Sequence, residues 1–120
     1  MRIGFAPWGE SLAEMMAAGK LAEKHGIDSL WTSELHRTGV VTAAALSLAT
    51  NRAAIGTAAL LAPIRSPMVT ALAALDLDEL SRGRFILGLA PGVRRLIEEW
   101  HGASFDQPIV RLRETVAQRE

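Results

Sequence analysis

The sequence contains no cysteine and no tyrosine, and only two of its 120 residues are lysines. Without cysteine the chain can form no disulfide and offers no thiolate ligand to a metal, which favours a reducing, cytoplasmic setting. Its 13 basic and 13 acidic residues cancel, so no net charge attracts the chain to nucleic acid or to an anionic membrane. We therefore expect neither nucleic acid nor a membrane among its partners.

Long apolar runs are also absent, although 49% of the residues are hydrophobic. Arg52, Arg65 and Asp76 interrupt the longest stretches, so none reaches the roughly 18 apolar residues of a membrane-spanning helix. The first ten residues carry one arginine and no apolar core of the kind found in signal peptides. The composition is that of a single globular domain over residues 1–120.

Short apolar runs alternate with longer helical patterns along the chain. Strands are predicted at 3–6, 29–32, 53–57 and 84–89, and helices at 11–25, 42–50, 66–80, 98–101 and from 106 onward. The strands begin about every 25 to 30 residues, the spacing of βαβ units with parallel strands and right-handed crossovers. Four such units fit either a small open sheet with helices on both faces or half of an eight-unit barrel, and the spacing leaves both open.

Local signals mark several helix ends. The spacing of Ser11 and Glu14 predicts a capping box, in which each side chain bonds the backbone N–H of the other residue. Gly26 suits a left-handed helix end, and Ser66-Pro67 suits an N-cap followed by proline at the first helical position. These signals predict two helices, beginning after Ser11 and Ser66.

The third predicted strand narrows to Ala58 and Ala59 where a buried strand ordinarily carries branched side chains. From the residues alone, the simplest interpretation is that two alanines fit a crowded interior. In a barrel, functional groups gather at the carboxyl ends of the strands, which here are the segments 6–8, 33–36, 58–60 and 90–92. Trp31 is predicted to lie in the core, and Trp8 to line a pocket or to pack.

Four segments resemble, in order and spacing, the bacterial luciferase-like monooxygenase family of flavin-dependent monooxygenases and deazaflavin-dependent reductases. They are DSLWTSE at 28–34, GTAAL at 56–60, RSPMV at 65–69 and DELSRGRFILGL at 78–89. The resemblance implies an α/β fold in which parallel βα units, four strands with flanking helices, form about half of a TIM-type (β/α)8 barrel. It also implies a flavin- or deazaflavin-dependent oxidoreductase acting on a small-molecule substrate, with FMN or the deazaflavin coenzyme as cofactor.

The resemblance further implies which residues meet the cofactor. The third strand is expected to end in a bulge with a non-prolyl cis peptide at or next to Ala58-Ala59, where small side chains let a flat ring approach the backbone. The cofactor-binding candidates are Ala6, Thr57, Ala58, Ala59, Leu60, Ala90 and Gly92. A glycine-rich turn is common in the family near 88–92, although an ordinary strand-to-helix turn fits these residues better, since Pro91 lacks a backbone donor.

Glu34 and His36 are the candidate catalytic residues. The family often has an acidic residue followed directly by histidine at this point, whereas this sequence has Leu35 there and a histidine one residue later. An imidazole titrates near neutrality and suits a general acid or base. An exposed loop histidine beside Arg37 fits the residues equally well. No spacing of His, Asp and Glu indicates a metal site.

A partial barrel would leave its first and last strands as open edges, which invite pairing with another chain. We therefore expect a homo-oligomer or a complementing second half. A non-catalytic fragment, or a partner subunit that completes a barrel by association, is the alternative function.

Overall fold

The computed structural model describes residues 1–118, in which helices separate groups of one or two short parallel strands. In chain order the elements are β1 (Gly4–Phe5), α1 (Leu12–Lys24), β2 (Ser29–Thr32), α2 (Gly39–Ala49), β3 (Ala54–Thr57), β4 (Leu60–Leu61), α3 (Pro67–Leu80), β5 (Phe85–Ile86), β6 (Leu89–Ala90) and α4 (Pro108–Gln118). A 3₁₀ turn (Ala62–Ile64) follows β4, and a π-helical turn (Leu96–Trp100) precedes α4. Within this part of the chain, no helix is both long and apolar enough to cross a membrane.

The main sheet has four parallel strands in the order β1-β2-β3-β5, and β4 pairs with β6 in a second, two-stranded sheet. The order in the main sheet follows the order along the chain. An open doubly wound sheet would reverse direction at a switch point. The sequential order therefore favours part of a barrel wall over the open sheet.

The hydrophobic core lies between the strands and the helices. Leu30 and Ile55, which are paired in register, pack there with Leu46 of α2 and Leu77 of α3. Because successive side chains alternate between the faces of a strand, residues 31 and 56 belong to the opposite face. That face is the one that would line the interior of a closed barrel.

Trp31 was predicted to lie in the core, and this is wrong. Its half-buried indole lies on the inner face and packs across glycines of both neighbouring strands. A Cβ added to Gly56 would overlap the ring, and one added to Gly4 would lie 3.0 Å from the indole nitrogen. The ring nitrogen instead donates to Ser29 Oγ at 2.9 Å. The two glycines make room for the indole, which covers the floor of the inner face.

The predicted strand over 84–89 is interrupted, which corrects the sequence-based expectation. Thr57 Oγ1 donates to the carbonyl of Gly88 and accepts from its N–H, both at 2.9 Å. At Gly88, this side chain replaces the backbone-to-backbone hydrogen bonds that a continuous parallel strand pair would make. The chain then resumes as β6, which pairs with β4 instead of β3.

Three of the predicted helix ends differ in detail from the structure. α2 begins before the predicted Thr42, because Thr38 Oγ1 accepts from the Val41 N–H at 3.0 Å and caps the helix. Ser11 Oγ accepts from the Glu14 N–H as predicted, but the Glu14 carboxylate accepts from Glu10 N instead of Ser11 N. The helix predicted at 98–101 is the π-helical turn that begins at Leu96.

The other predicted ends are confirmed. Ser66 Oγ caps α3, accepting from Val69 N at 3.1 Å, and Pro67 is the first helical residue. Gly26 has a φ of 87°, the left-handed conformation that glycine adopts without a steric penalty.

Polar side chains fix the amino ends of β3 and β5. The Arg84 guanidinium donates to the carbonyls of Ser47, Thr50, Ala53 and Ser81 and to the Thr50 hydroxyl. The Glu23 carboxylate accepts from three consecutive backbone N–H groups at 51–53. The DELSRGRF motif is therefore structural at Arg84, which joins α2, β3 and the end of α3.

Candidate functional site

A cavity of about 310 Å³ lies at the carboxyl ends of β1, β2 and β3. Its walls are largely aromatic or aliphatic, with a few polar groups on the loop after β2. The lining residues are Ala6, Pro7, Trp8, Met15, Trp31, Thr32, Ser33, Leu35, His36, Arg37, Thr42 and Ala58. Pockets of this volume are at the small end of those that hold organic ligands. The apolar walls and few polar groups are typical of such sites.

Three of the predicted site residues meet at this cavity: Ala6, His36 and Ala58. The remaining cofactor candidates lie outside its lining: Thr57, Ala59, Leu60, Ala90 and Gly92. Thr57 and Leu60 are almost fully buried, and Thr57 is engaged with Gly88. A Cβ added to Gly92 would contact Ile97 and Leu61, so its backbone is closely packed. A cofactor role for these five residues stays a prediction.

The peptide bond between Ala58 and Ala59 is cis, at the position that the resemblance implied. Ala58 is exposed on the cavity, and its N–H donates to the Thr32 carbonyl at 2.6 Å. That bond ties the end of β3 to the end of β2. The small side chain and backbone of Ala58 form part of one cavity wall.

The Glu34 carboxylate lies behind the cavity wall, with 7% of the residue exposed. It accepts from Gly39 N at 2.9 Å, from Leu61 N at 3.0 Å and from both terminal nitrogens of Arg65. Burial raises the pKa of Glu34, but the hydrogen bonds from Arg65, Leu61 and Gly39 outweigh it and hold the pKa below its ordinary value. The carboxylate is thus ionised, and protein donors occupy it. Its catalytic assignment stays a prediction, and this geometry favours a positioning role.

His36 is exposed, and its ring lies 5.9 Å, centroid to centroid, from that of Trp100. The imidazole is therefore accessible from the cavity and is held on one side by an indole. Next to it, Arg37 donates to the Glu10 carbonyl at 2.7 Å, which joins the loops that follow β1 and β2. A proton donor or acceptor at the cavity mouth is the chemistry that this arrangement allows.

Sequence reasoning did not identify Arg65 or Trp100 as parts of the site. Arg65 was placed in the RSPMV segment and among the charges that interrupt apolar runs, and nothing in the sequence pairs it with Glu34. Trp100 reaches His36 from the π-helical turn, across a separation in sequence that no local pattern encodes. Because a buried acidic residue needs a basic partner, a prediction that Glu34 is buried would have led to a search for a basic residue, but the sequence does not show that burial.

A larger and more open groove of about 570 Å³ lies between the carboxyl ends of α1 and α2. Lys20, Lys24 and Arg52 line it together with Glu23, whose carboxylate is occupied by backbone N–H groups. It is far from the carboxyl ends of the strands and includes none of the predicted site residues. The smaller cavity is therefore the candidate functional site.

Comparison with known proteins agrees with this fold. A protein of Mycobacterium tuberculosis named as a coenzyme F420-dependent oxidoreductase is 36% identical over 97% of this chain, which spans 33% of that protein. Two solved structures superpose on this chain. One is a Streptomyces bottropensis monooxygenase, with a TM-score of 0.82. The other is the oxygenating constituent of 3,6-diketocamphane monooxygenase from Pseudomonas putida in complex with FMN, with a TM-score of 0.80. Both structures are 23% identical in sequence to this chain.

This chain corresponds to only part of each relative. It covers 42% and 38% of the two solved chains, while 99% and 100% of its own length is matched. The structural likeness shows that the parallel βα units are those of part of a TIM-type barrel. The family described as luciferase-like monooxygenase matches residues 3–118. The chain therefore belongs to the luciferase-like monooxygenase family.

Proposed function

We propose that the cavity at the carboxyl ends of β1–β3 receives the ring system of a flavin or deazaflavin. The chain would then act as the N-terminal half of a flavin- or deazaflavin-dependent oxidoreductase. The observation that carries this proposal is Ala58, whose small side chain and backbone face an apolar cavity lined by Trp8 and Trp31. The relatives support both cofactors: one is named for coenzyme F420, and one was solved with FMN.

The residues present fit the ring of such a cofactor. Alanines at 6 and 58 leave open the space that larger side chains would fill, and the indoles supply flat apolar walls. At about 310 Å³ the cavity suits a ring system better than a complete coenzyme. The phosphate-bearing tail would extend beyond this cavity.

The cofactor supplies hydride transfer or, as a reduced flavin, oxygen activation, and the protein supplies binding and orientation. Trp8, Trp31 and Leu35 would present apolar surface to the ring. His36, at the mouth, holds or delivers a proton through an imidazole nitrogen. The substrate would be a small molecule. The absence of cysteine supports a cytoplasmic location.

The open sheet edges favour a second candidate function, that of a subunit completed by association. Within residues 1–118, β1 pairs only with β2, and β5 pairs only with β3. Phe5 and Ile86 on these edges are 42% and 44% exposed. A second copy or a complementing half could pair with such edges. Measuring the mass of the purified chain in solution distinguishes a monomer from such an assembly.

Titration of the chain with FMN and with coenzyme F420, followed by fluorescence, tests the cofactor proposal. Replacing Ala58 with Phe fills the ring site, so we expect affinity to fall at least about tenfold, as overpacking of a fitted site does. Ala17→Phe is the matched control, because Ala17 is an exposed alanine in the other groove. Equal affinity of Ala58→Phe and the parent chain would refute the ring site. If the parent chain, in the oligomeric state that its mass in solution shows, bound neither cofactor, the enzyme function would be refuted for this chain.

A further inference from the structure

One buried ion pair joins four segments at the carboxyl edge of the sheet. Glu34 follows β2, Gly39 begins α2, Leu61 ends β4, and Arg65 precedes α3. The carboxylate of Glu34 bonds the other three: two backbone N–H groups and the guanidinium fork. A single side chain thus connects loops that are separate in the sequence.

The pair is shielded from solvent and fully engaged. The side chains of Arg65 and Glu34 are 14% and 4% exposed. Four donor atoms surround the two carboxylate oxygens, two of them in the bidentate arrangement that arginine favours. Protein donors therefore occupy the carboxylate, and no position is left for it to exchange a proton with a substrate. Any effect of Glu34 on chemistry must act through the residues that it holds.

Those residues are walls of the candidate site. Leu35 and His36 follow Glu34 directly and line the cavity. Ala58 also lines the cavity and lies just before β4, where the Leu61 N–H donates a hydrogen bond to Glu34. The loop over 33–37 and the segment over 58–61 therefore meet at this carboxylate. Removing it would free both walls, while the core of Leu30, Leu46 and Ile55 lies on the other face of the sheet.

We propose that Glu34 and Arg65 are positioning residues that hold the two cavity walls together and thereby place His36 and Ala58. This role deepens the proposed function, since it explains what would keep the ring site open. The contacts themselves are independent of any cofactor. The proposal can therefore fail or succeed separately from cofactor binding.

The two ends of the sheet provide a matched control. Glu23 also accepts backbone N–H groups, at 51–53, but it lies at the amino ends of the strands. Glu23→Gln and Glu34→Gln each replace a carboxylate with an amide of the same size. A merely structural loss of stability would accompany both, whereas a change at the cavity walls should follow only the second.

Amide hydrogen exchange and the NMR signals of the His36 ring provide the test. In Glu34→Gln, the amides of Gly39 and Leu61 should exchange at least about tenfold faster relative to the core amides, since each loses a charged acceptor. The His36 ring signals should move toward the values of a histidine with no aromatic ring beside it, because the Trp100 ring lies 5.9 Å away in the parent chain. In Glu23→Gln, only the amides at 51–53 should exchange faster.

Arg65→Lys keeps the charge but cannot bond both oxygens as a fork, so it provides a milder variant if Glu34→Gln does not fold. We expect it to move the His36 signals in the same direction by a smaller amount. Unchanged His36 signals in a folded Glu34→Gln or Arg65→Lys variant would overturn the proposal. Equal movement of those signals in Glu23→Gln would overturn it as well. Neither readout needs FMN or F420, so failure of cofactor binding counts only against the proposed function.

Discussion

Replacing Arg84 with methionine should destabilise the fold by several kcal/mol. The substitution keeps most of the aliphatic stem but removes five hydrogen bonds, to groups on α2, at the start of β3 and at the end of α3. Bonds from a charged donor are worth about 1.5–3 kcal/mol each when removed, and water can replace several of them at a half-buried site. We therefore expect a loss of about 3–4 kcal/mol in the free energy of unfolding, against a total of about 5–15 kcal/mol for an ordinary domain.

Urea denaturation followed by far-ultraviolet circular dichroism measures this loss as a lower midpoint with an unchanged slope. Arg82→Met is the matched control, because Arg82 is an exposed arginine two residues away, and its midpoint should stay close to that of the parent chain. Arg84→Lys should fall between the two, since an ammonium cannot reach all five acceptors. A loss below about 1 kcal/mol for Arg84→Met, the size of an ordinary surface effect, would refute this account of the DELSRGRF motif.

Three further predictions concern stability. Burial raises the pKa of Glu23, but hydrogen bonds from the N–H groups at 51–53 outweigh it and lower that pKa below its ordinary value of 4.5. Its contribution to stability is therefore present above pH 4.5 and is lost as the pH falls through the folded-state pKa. In Glu23→Gln, the urea midpoint should consequently fall less on acidification than it does in the parent chain. Thr70 Oγ1 is buried without a hydrogen-bond partner among residues 1–118, so Thr70→Val should raise the free energy of unfolding by about 1 kcal/mol, and a decrease would contradict this. A Cβ on Gly88 would overlap the Thr57 carbonyl, so Gly88→Ala should cost about 2–3 kcal/mol in the same assay, and a neutral result would be evidence against the strand break.

The elements of the fold could be predicted from the sequence because their signals are local. Ser11 and Ser66 mark helix starts through caps that the structure contains, and the repeat spacing predicted parallel βα units. The end of the third strand was located by the resemblance, and the cis bond lies at Ala58-Ala59. One local signal was missed, because the Thr38 cap begins α2 before the predicted Thr42.

The larger errors concern contacts between distant segments. Residues 84–89 read as one apolar strand, yet the Thr57 side chain interrupts it through Gly88, far away in sequence. Trp31 has the composition of a core residue, and only the glycines on neighbouring strands reveal that its ring covers the inner face. Pairing across strands depends on register, which apolar periodicity alone does not specify.

The site shows the same limit. The acidic residue at 34 was identified as chemically important, but its partner Arg65 follows from tertiary structure. His36 is on the cavity, as a one-residue shift in a loop permits, because the chain after β2 is no longer a regular strand. Sequence reasoning could therefore name the residues at the strand ends and could not say which of them touch.

The most direct test of the central claim is an amide and indole NMR titration of the chain with FMN. We predict that the signals that shift most will be those of the Ala58 amide, the Trp31 indole N–H and the His36 ring, while the groove of Lys20 and Lys24 stays unaffected. Shifts concentrated at Lys20 and Lys24, or saturable binding that leaves Ala58 and Trp31 unchanged, would contradict the assignment of the flavin ring to this cavity.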